Sequence, residues 1–212
     1  MLIIGILGKK GAGKDTVAKI LKSSGFYDVK FAGNLKTACK NIFSFTEEQV
    51  NGSEKETIDD FWKVTPREIM QFFGTDLMRD QIGVVVPGID KNIWVKCIER
   101  QIINLQKTSG TDNFTVSDVR FENEVDFIHR MGGLIIKIDR TSRDGTSRDG
   151  TRPDDNRNGN HNESNTGFTG HSSENEMQNI TNYDYLVIND GTIEDLQSKI
   201  DKLYEEIMKK YK

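Results

Sequence analysis

The residues best suited to chemistry form a glycine-rich segment, GKKGAGKDT, at positions 8–16. It follows a short apolar run, Leu2 to Leu7, and precedes a stretch with helical periodicity. Successive backbone N–H groups in such a turn converge on one point and bind phosphate oxygens, while the helix N-terminus adds partial positive charge. The ammonium of Lys14 can then reach the β- and γ-phosphates of a nucleotide. The flanking strand and helix favour this interpretation over an ordinary glycine-rich turn.

One position departs from the common form of this motif. Asp15 stands where Ser or Thr usually supplies a hydroxyl for Mg²⁺, and the hydroxyl comes one place later, at Thr16. The form GxxGxGKxT is typical of nucleoside monophosphate kinases, which favours small-molecule phosphoryl transfer over a GTPase or a motor ATPase. Thr16 either binds Mg²⁺ or touches a phosphate while Mg²⁺ is held largely through water. The predicted ATP-binding residues of this segment are Gly11, Ala12, Gly13, Lys14, Asp15 and Thr16.

A second charged cluster, DVRFENE at positions 118–124, follows a strand-like run, Phe114 to Ser117. A kinase also needs arginine or lysine at its acceptor site, because two anions must be brought together. Asp118 could orient magnesium-bound water or the substrate sugar, and Arg120 could clamp a phosphate. Glu124 could accept a hydrogen bond from a base or a sugar hydroxyl. The alternative is a capped helix start with a surface ion pair.

Three further residues are candidates for the acceptor site. Arg67 and Lys55 are candidate anion ligands, although each alone could be a solvated surface charge. Arg67 belongs to a strong helix start, TPRE at positions 65–68, with Thr at the N-cap, Pro at N1 and Glu at N3. Trp94 is either a core side chain or a flat wall for a nucleobase.

The elements that must position these residues alternate between strands and helices. Apolar runs predict five strands, at Leu2–Leu7, Tyr27–Phe31, Phe114–Ser117, Leu134–Ile138 and Tyr185–Ile188. One helical pattern is capped by Asn34, and another buries Ile69, Phe72 and Phe73. The last helix is capped by Thr192 and Asp195, and its predicted core stripe begins at Ile193. This alternation predicts an α/β fold whose parallel sheet is covered on both faces and binds substrates at the carboxyl ends of its strands.

Composition excludes several function classes. The 212 residues carry a formal charge of −4, which argues against a generic nucleic-acid binder. No apolar run approaches the length of a membrane span, and the N-terminus lacks the features of a signal peptide. Cys39 and Cys97 lie in apolar helical patterns and are predicted to be reduced core thiols of an intracellular protein. Residues 141–170, which contain TSRDGTSRDG, form a polar, low-complexity insertion that is either a passive surface insertion or a lid over bound nucleotide.

With these residues placed, the chain resembles a deoxynucleoside monophosphate kinase of the viral and phage type, within the P-loop kinase superfamily. Five segments carry the resemblance in order: GKKGAGKDT; FAGNLK; TPREIMQFFGTD with the later IWVK; VSDVRFENE; and YLVINDGTIEDL. They span nearly the whole chain except about residues 141–178. The resemblance implies a single P-loop kinase domain over residues 1–212, a three-layer fold with strand order 2-3-1-4-5, and an acceptor-binding helical region at about 34–107.

The resemblance also implies functional residues. The acceptor site would be lined by Lys36, Arg67, Gly74, Thr75, Trp94, Asp118, Arg120 and Glu124, with Lys55 as a further phosphate ligand. Of these, Arg67, Asp118 and Arg120 would act in catalysis together with Lys14. Asn189, in the turn NDG, would border the donor adenine.

The sequence therefore predicts an ATP- and Mg²⁺-dependent kinase that converts deoxynucleoside monophosphates to diphosphates and supplies dNTP precursors. The alternatives are a related kinase, such as dephospho-coenzyme A kinase, and a non-catalytic nucleotide-binding protein. The expected partner is a small-molecule substrate, without direct nucleic-acid or membrane binding, and a homodimer is left open. The expected location is the cytoplasm, that of the host if the protein is viral.

Overall fold

The computed structural model describes residues 1–140 and 179–210. In this part of the chain, five strands form one parallel sheet: β1 (Leu2–Leu7), β2 (Tyr27–Val29), β3 (Asn113–Val119), β4 (Leu134–Asp139) and β5 (Tyr185–Ile188). Their order is β2-β3-β1-β4-β5. The predicted five-stranded sheet and its strand order are both confirmed. The insertion expected at 141–170 lies outside the described residues.

Helices connect and flank these strands. The α-helices are α1 (Lys14–Ser23), α2 (Phe31–Phe43), α3 (Glu47–Asn51), α4 (Pro66–Gln71), α5 (Ile82–Val85), α6 (Ile93–Ser109), α7 (Glu122–Arg130) and α8 (Ile193–Lys210). A 3₁₀ turn covers Ser53–Glu56, and a π-helical segment covers Phe72–Gln81, between α4 and α5.

The sheet is built from continuous apolar sequence where it is covered on both faces. All six residues of β1 are buried, as expected for a strand inside a parallel sheet. β1 pairs in parallel with β4, with Ile4 opposite Leu134. β4 in turn pairs with β5, and β2 pairs with β3. The carboxyl ends of β1 and β4 therefore lie at the same edge, where β1 runs into the glycine-rich segment.

The chain divides into two compact units. The first contains residues 1–3 and 25–118, and the second contains residues 4–24 and 119–212 within the described ranges. The first unit has a core cluster of Cys39, Phe45, Val50 and Met70, against which Ile69 and Phe73 pack. In the second unit, α8 buries Leu196, Ile200 and Ile207, and α7 buries Val125, Phe127 and Ile128.

Four local predictions are wrong. α2 begins at Phe31, so the second strand ends at Val29 and Asn34 lies inside the helix instead of capping it. Phe72 is exposed, because Ile69, Met70 and Phe73 form the face that packs on the core and Phe72 lies to one side of it. Ile193, the first residue of α8, is also exposed. Within the described residues, no helix has the length and apolar character needed to cross a bilayer.

Candidate active site

The glycine-rich segment forms a turn between β1 and α1 that only glycine can complete. Gly13, the N-cap of α1, has φ of 108°, in the left-handed region that other residues rarely adopt. A β-carbon on Gly13 would lie 2.7 Å from Nδ2 of Asn189. A β-carbon on Gly8 would lie 2.5 Å from the carbonyl oxygen of Ile138 in β4. The loop therefore sits directly against the ends of neighbouring elements, with its backbone at the N-terminus of α1.

The side chain of Lys14 folds back over this loop. Its Nζ donates to the carbonyl oxygens of Gly8, at 2.6 Å, and Lys9, at 2.9 Å. The ammonium is thus held at the mouth of the turn, where the positive end of the α1 dipole also lies. The loop backbone, the helix terminus and this ammonium together make a site suited to phosphate oxygens.

Asn189 hydrogen-bonds to the glycine-rich segment at positions 8–16, which is called the phosphate loop from here on. Its Nδ2 donates to the carbonyl oxygen of Ala12 at 2.8 Å, and its backbone N–H donates to the carbonyl of Asp139 at 2.7 Å. The residue is only 9% exposed. The structure thus gives Asn189, placed by the sequence beside the donor adenine, a direct contact with the loop backbone. The adenine contact itself stays a prediction.

Arg140, which the sequence motifs did not indicate, also contacts the phosphate loop. It directly follows β4, and its Nη1 donates to the carbonyl oxygen of Gly11 at 3.1 Å. The signal that could have found it is position: a cationic residue just past the carboxyl end of a strand next to β1. Like Lys14 and Asn189, this arginine lies in the second unit.

Asp118 caps α2 from another element. Its two carboxylate oxygens accept from the backbone N–H groups of Phe31 and Ala32, each at 2.9 Å. These are N–H groups of the first turn of α2, which have no partner within the helix. This long-range cap explains why α2 starts three residues before the predicted Asn34. It gives Asp118 a structural task that the sequence did not suggest.

Arg120 and Glu124 flank the start of α7. The carboxylate of Glu124 accepts from the backbone N–H of Arg120, at 2.7 Å, and of Phe121, at 3.2 Å. Glu124 is buried, whereas the side chain of Arg120 is exposed. The capped helix start foreseen as the alternative is therefore present.

Gly74 and Trp94 meet in the first unit. The indole Nε1 of Trp94 donates to the carbonyl oxygen of Gly74 at 2.8 Å, so α6 is tied to the π-helical segment. A β-carbon on Gly74 would lie 2.6 Å from Cδ2 of Leu35 in α2, which fixes a close approach between these elements. Trp94 and Thr75 are both half-buried. The half-exposed indole is compatible with either role predicted for it.

The other cationic candidates of this unit pair with polar neighbours. Lys36 donates from Nζ to Oδ1 of Asn51 at 2.7 Å. Arg67, in the first turn of α4, forms an ion pair with Glu56 of the 3₁₀ turn. Thr65 and Glu68 form the predicted capping box that starts this helix.

The residues present are compatible with Mg²⁺ bound through a nucleotide. The side chain of Thr16 is half-buried in the first turn of α1, and Asp15 is exposed beside it. No group of three or more His, Cys, Asp or Glu in the described ranges could hold a metal ion. Mg²⁺ is commonly held by one or two protein ligands together with substrate phosphates and water, and an Mg²⁺ contact by Thr16 stays a prediction.

Comparison with known proteins identifies the family. The family model for deoxynucleotide monophosphate kinases matches residues 28–152. A protein of Acanthamoeba polyphaga mimivirus, which carries the provisional name of a deoxynucleotide monophosphate kinase, is 38% identical over 204 residues, 94% of each chain. The chain belongs to the deoxynucleotide monophosphate kinase family.

One further relative shares this family name, and one solved structure shares the fold. The deoxynucleotide monophosphate kinase of Enterobacteria phage T4 is 28% identical over 180 residues, 79% of this chain and 60% of that one. Among solved structures, TT1252 from Thermus thermophilus covers 97% of each chain with a TM-score of 0.50 and 16% identity, a likeness of fold alone. The predicted relationship to deoxynucleotide monophosphate kinases is confirmed.

Proposed function

We propose that this chain transfers the γ-phosphoryl group of ATP to a deoxynucleoside monophosphate, giving ADP and the deoxynucleoside diphosphate. The observation that carries the proposal is the near full-length similarity to the mimivirus relative, together with membership of the deoxynucleotide monophosphate kinase family. The phosphate loop between β1 and α1 supports it, because such a loop is what a nucleotide donor needs.

The donor would be bound by the second unit. The phosphate loop would hold the ATP phosphates through its backbone N–H groups, and Lys14 would stabilise negative charge on the transferred group. Bound Mg²⁺ would neutralise charge on the phosphates, with Thr16 as its protein ligand or as a phosphate contact. Asn189 and Arg140, which hydrogen-bond to two loop carbonyls, would keep the loop in shape before the nucleotide arrives.

The acceptor would be bound by residues whose charges complement a monophosphate. Arg67 and Arg120 would neutralise the acceptor phosphate, since a guanidinium can bind two of its oxygens at once. The exposed side chain of Arg120 supports this role. The remaining acceptor residues would be Lys36, Lys55, Gly74, Thr75, Trp94, Asp118 and Glu124.

Asp118 and Glu124 would act partly through the backbone that they hold. Asp118 fixes the start of α2 and Glu124 fixes the start of α7. The acceptor phosphate is already a good nucleophile, so the reaction needs positioning and electrostatic stabilisation more than a strong general base.

The substrate is proposed to be a free nucleotide, and the enzyme to act without nucleic acid or membrane, in the cytoplasm of a host if the chain is viral. A homodimer is compatible with this activity and is not required by it. The deoxynucleoside diphosphate produced would feed dNTP synthesis.

A coupled ADP-release assay tests the proposal. The panel pairs dGMP with GMP and dTMP with UMP, and adds dephospho-coenzyme A. We expect turnover with deoxynucleotides and a lower kcat/KM, by roughly tenfold to a hundredfold, for the matching ribonucleotides, as follows if the 2′-hydroxyl is desolvated without a partner. Turnover on dephospho-coenzyme A alone would identify the related kinase, and ATP binding without turnover would indicate a non-catalytic binding protein.

A further inference from the structure

A basic groove lies in the first unit, on a face of α2. It has a volume of about 360 Å³ and is bounded by β2, α2, Asn51 of α3 and Gln101 of α6. Its lining includes three lysines, Lys30, Lys36 and Lys40, and one carboxylate, Asp28. The lining therefore has a formal charge of +2, or +1 when Glu47, which pairs with Lys40, is counted, whereas the whole chain has −4. Such a local reversal of charge favours an anionic ligand.

An anion of the chain itself, the carboxylate of Glu47, contacts two residues that line the groove. Nζ of Lys40 lies 2.9 Å from the carboxylate of Glu47, and Nζ of Lys36 donates to Oδ1 of Asn51 at 2.7 Å. Asn51 in turn donates to the other oxygen of Glu47, so one carboxylate is connected to both lysines. The hydrogen bond from Lys40, followed by that from Asn51, holds the pKa of Glu47 below its usual range.

This internal anion is easy to displace. The side chain of Glu47 is 67% exposed, and ion pairs this exposed contribute little to stability. A phosphate carries more charge and more acceptor oxygens than a carboxylate, and it would therefore compete well for the same two ammonium groups.

We propose that the groove is a phosphate-binding site in which the phosphate of a nucleotide displaces Glu47 and binds Lys36 and Lys40. The polar side chains of Asn34 and Gln101, which line the same groove, can donate to and accept from a base or a sugar. The choice of a nucleotide rests on the proposed function, whereas the phosphate site itself rests on the lysines and Glu47. The source of the phosphate is either the acceptor or a second nucleotide.

Two substitutions with opposite expected effects test this site. Lys40→Gln removes a cation, and Glu47→Gln removes the competing anion while it keeps a partner for Asn51. Inorganic pyrophosphate is titrated into ¹⁵N-labelled protein, and the backbone amides of α2 and the side-chain amide of Asn51 are followed by NMR, separately from those of the phosphate loop. We expect roughly two- to fivefold weaker binding for Lys40→Gln and roughly two- to fivefold tighter binding for Glu47→Gln. Lys19→Gln, an exposed lysine of α1, is the matched control.

A purely structural ion pair gives a different result. It predicts that both substitutions lower stability and that both variants bind pyrophosphate with the same affinity as Lys19→Gln. Pyrophosphate shifts confined to the phosphate loop, or equal effects of the two variants, would overturn the proposal.

Steady-state kinetics then identify the source of the phosphate. Opposite changes in the KM for dGMP assign the groove to the acceptor, and an unchanged KM with altered pyrophosphate binding excludes the acceptor as the source. If no nucleotide is phosphorylated but pyrophosphate binding responds as expected, the proposed function fails and the groove stands.

Discussion

Replacing Asn189 by Ala tests whether this residue shapes the phosphate loop. The substitution removes the donor that bonds to the Ala12 carbonyl at 2.8 Å. That carbonyl is then left without this donor in a buried site, since Ala12 is only 2% exposed and Asn189 only 9%. An unsatisfied buried polar group costs about 1–3 kcal/mol. For a protein of this size, that cost lowers Tm by about 2–12 °C, because each kcal/mol corresponds to about 2–4 °C. Asn104→Ala, at an exposed position of α6, is the control.

The kinetics of the same variant separate two roles. If Asn189 braces the loop, kcat/KM falls by a similar factor with ATP and with other nucleoside triphosphates, because they share the phosphates that the loop binds. If it acts only by contacting the adenine, the loss is confined to ATP. A role for Asn189 in the loop is refuted if Asn189→Ala has the same Tm as the wild type and the same kcat/KM for ATP and for the other nucleoside triphosphates.

Four further predictions concern single residues. Lys14→Met should lower kcat by about two orders of magnitude or more, since losing one such charge-stabilising donor costs about 3–4 kcal/mol. Its circular dichroism spectrum should stay unchanged, and near wild-type turnover would remove Lys14 from the mechanism. Arg120→Ala should raise the KM for dGMP, with partial rescue by Arg120→Lys, and unchanged kinetics would make Arg120 a surface residue. Asp118→Ala should lower the free energy of unfolding in urea by about 0.5–2 kcal/mol through loss of the α2 cap, whereas the exposed control Asp126→Ala should not, and equal midpoints would contradict the cap. Burial raises the pKa of Cys39 to about 11, so at pH 8 it stays a protonated thiol and should resist iodoacetamide until urea unfolds the chain; labelling in the native state, detected by peptide mass spectrometry, would argue against its burial.

Elements with local signals were predictable from sequence. β1 and β5 have the predicted bounds because a continuous apolar run needs no partner to be recognised as a strand. The capping box at Thr65 and the cap of α8 at Thr192 were also found, since each involves residues only three positions apart.

Features set by distant residues were not predictable. The start of α2 depends on Asp118, which is 87 positions from Phe31. The face of α4 that is buried is set by contacts with Cys39, Phe45 and Val50, so a local pattern placed Phe72 on the wrong face. The contact of Asn189 with Ala12 spans 177 positions, and sequence spacing cannot reveal it. The type of site was therefore predictable, while the contacts that shape its loop were not.

Transfer of a labelled phosphoryl group tests the central claim most directly. The protein is incubated with Mg²⁺, dGMP or dTMP, and ATP that carries a radioactive γ-phosphate, and the products are separated by chromatography. Lys14→Met provides the matched inactive control. The proposed function predicts that the label appears as the β-phosphate of dGDP or dTDP, in proportion to the ADP formed. Label found only in unreacted ATP or in inorganic phosphate, with no deoxynucleoside diphosphate produced, would contradict it.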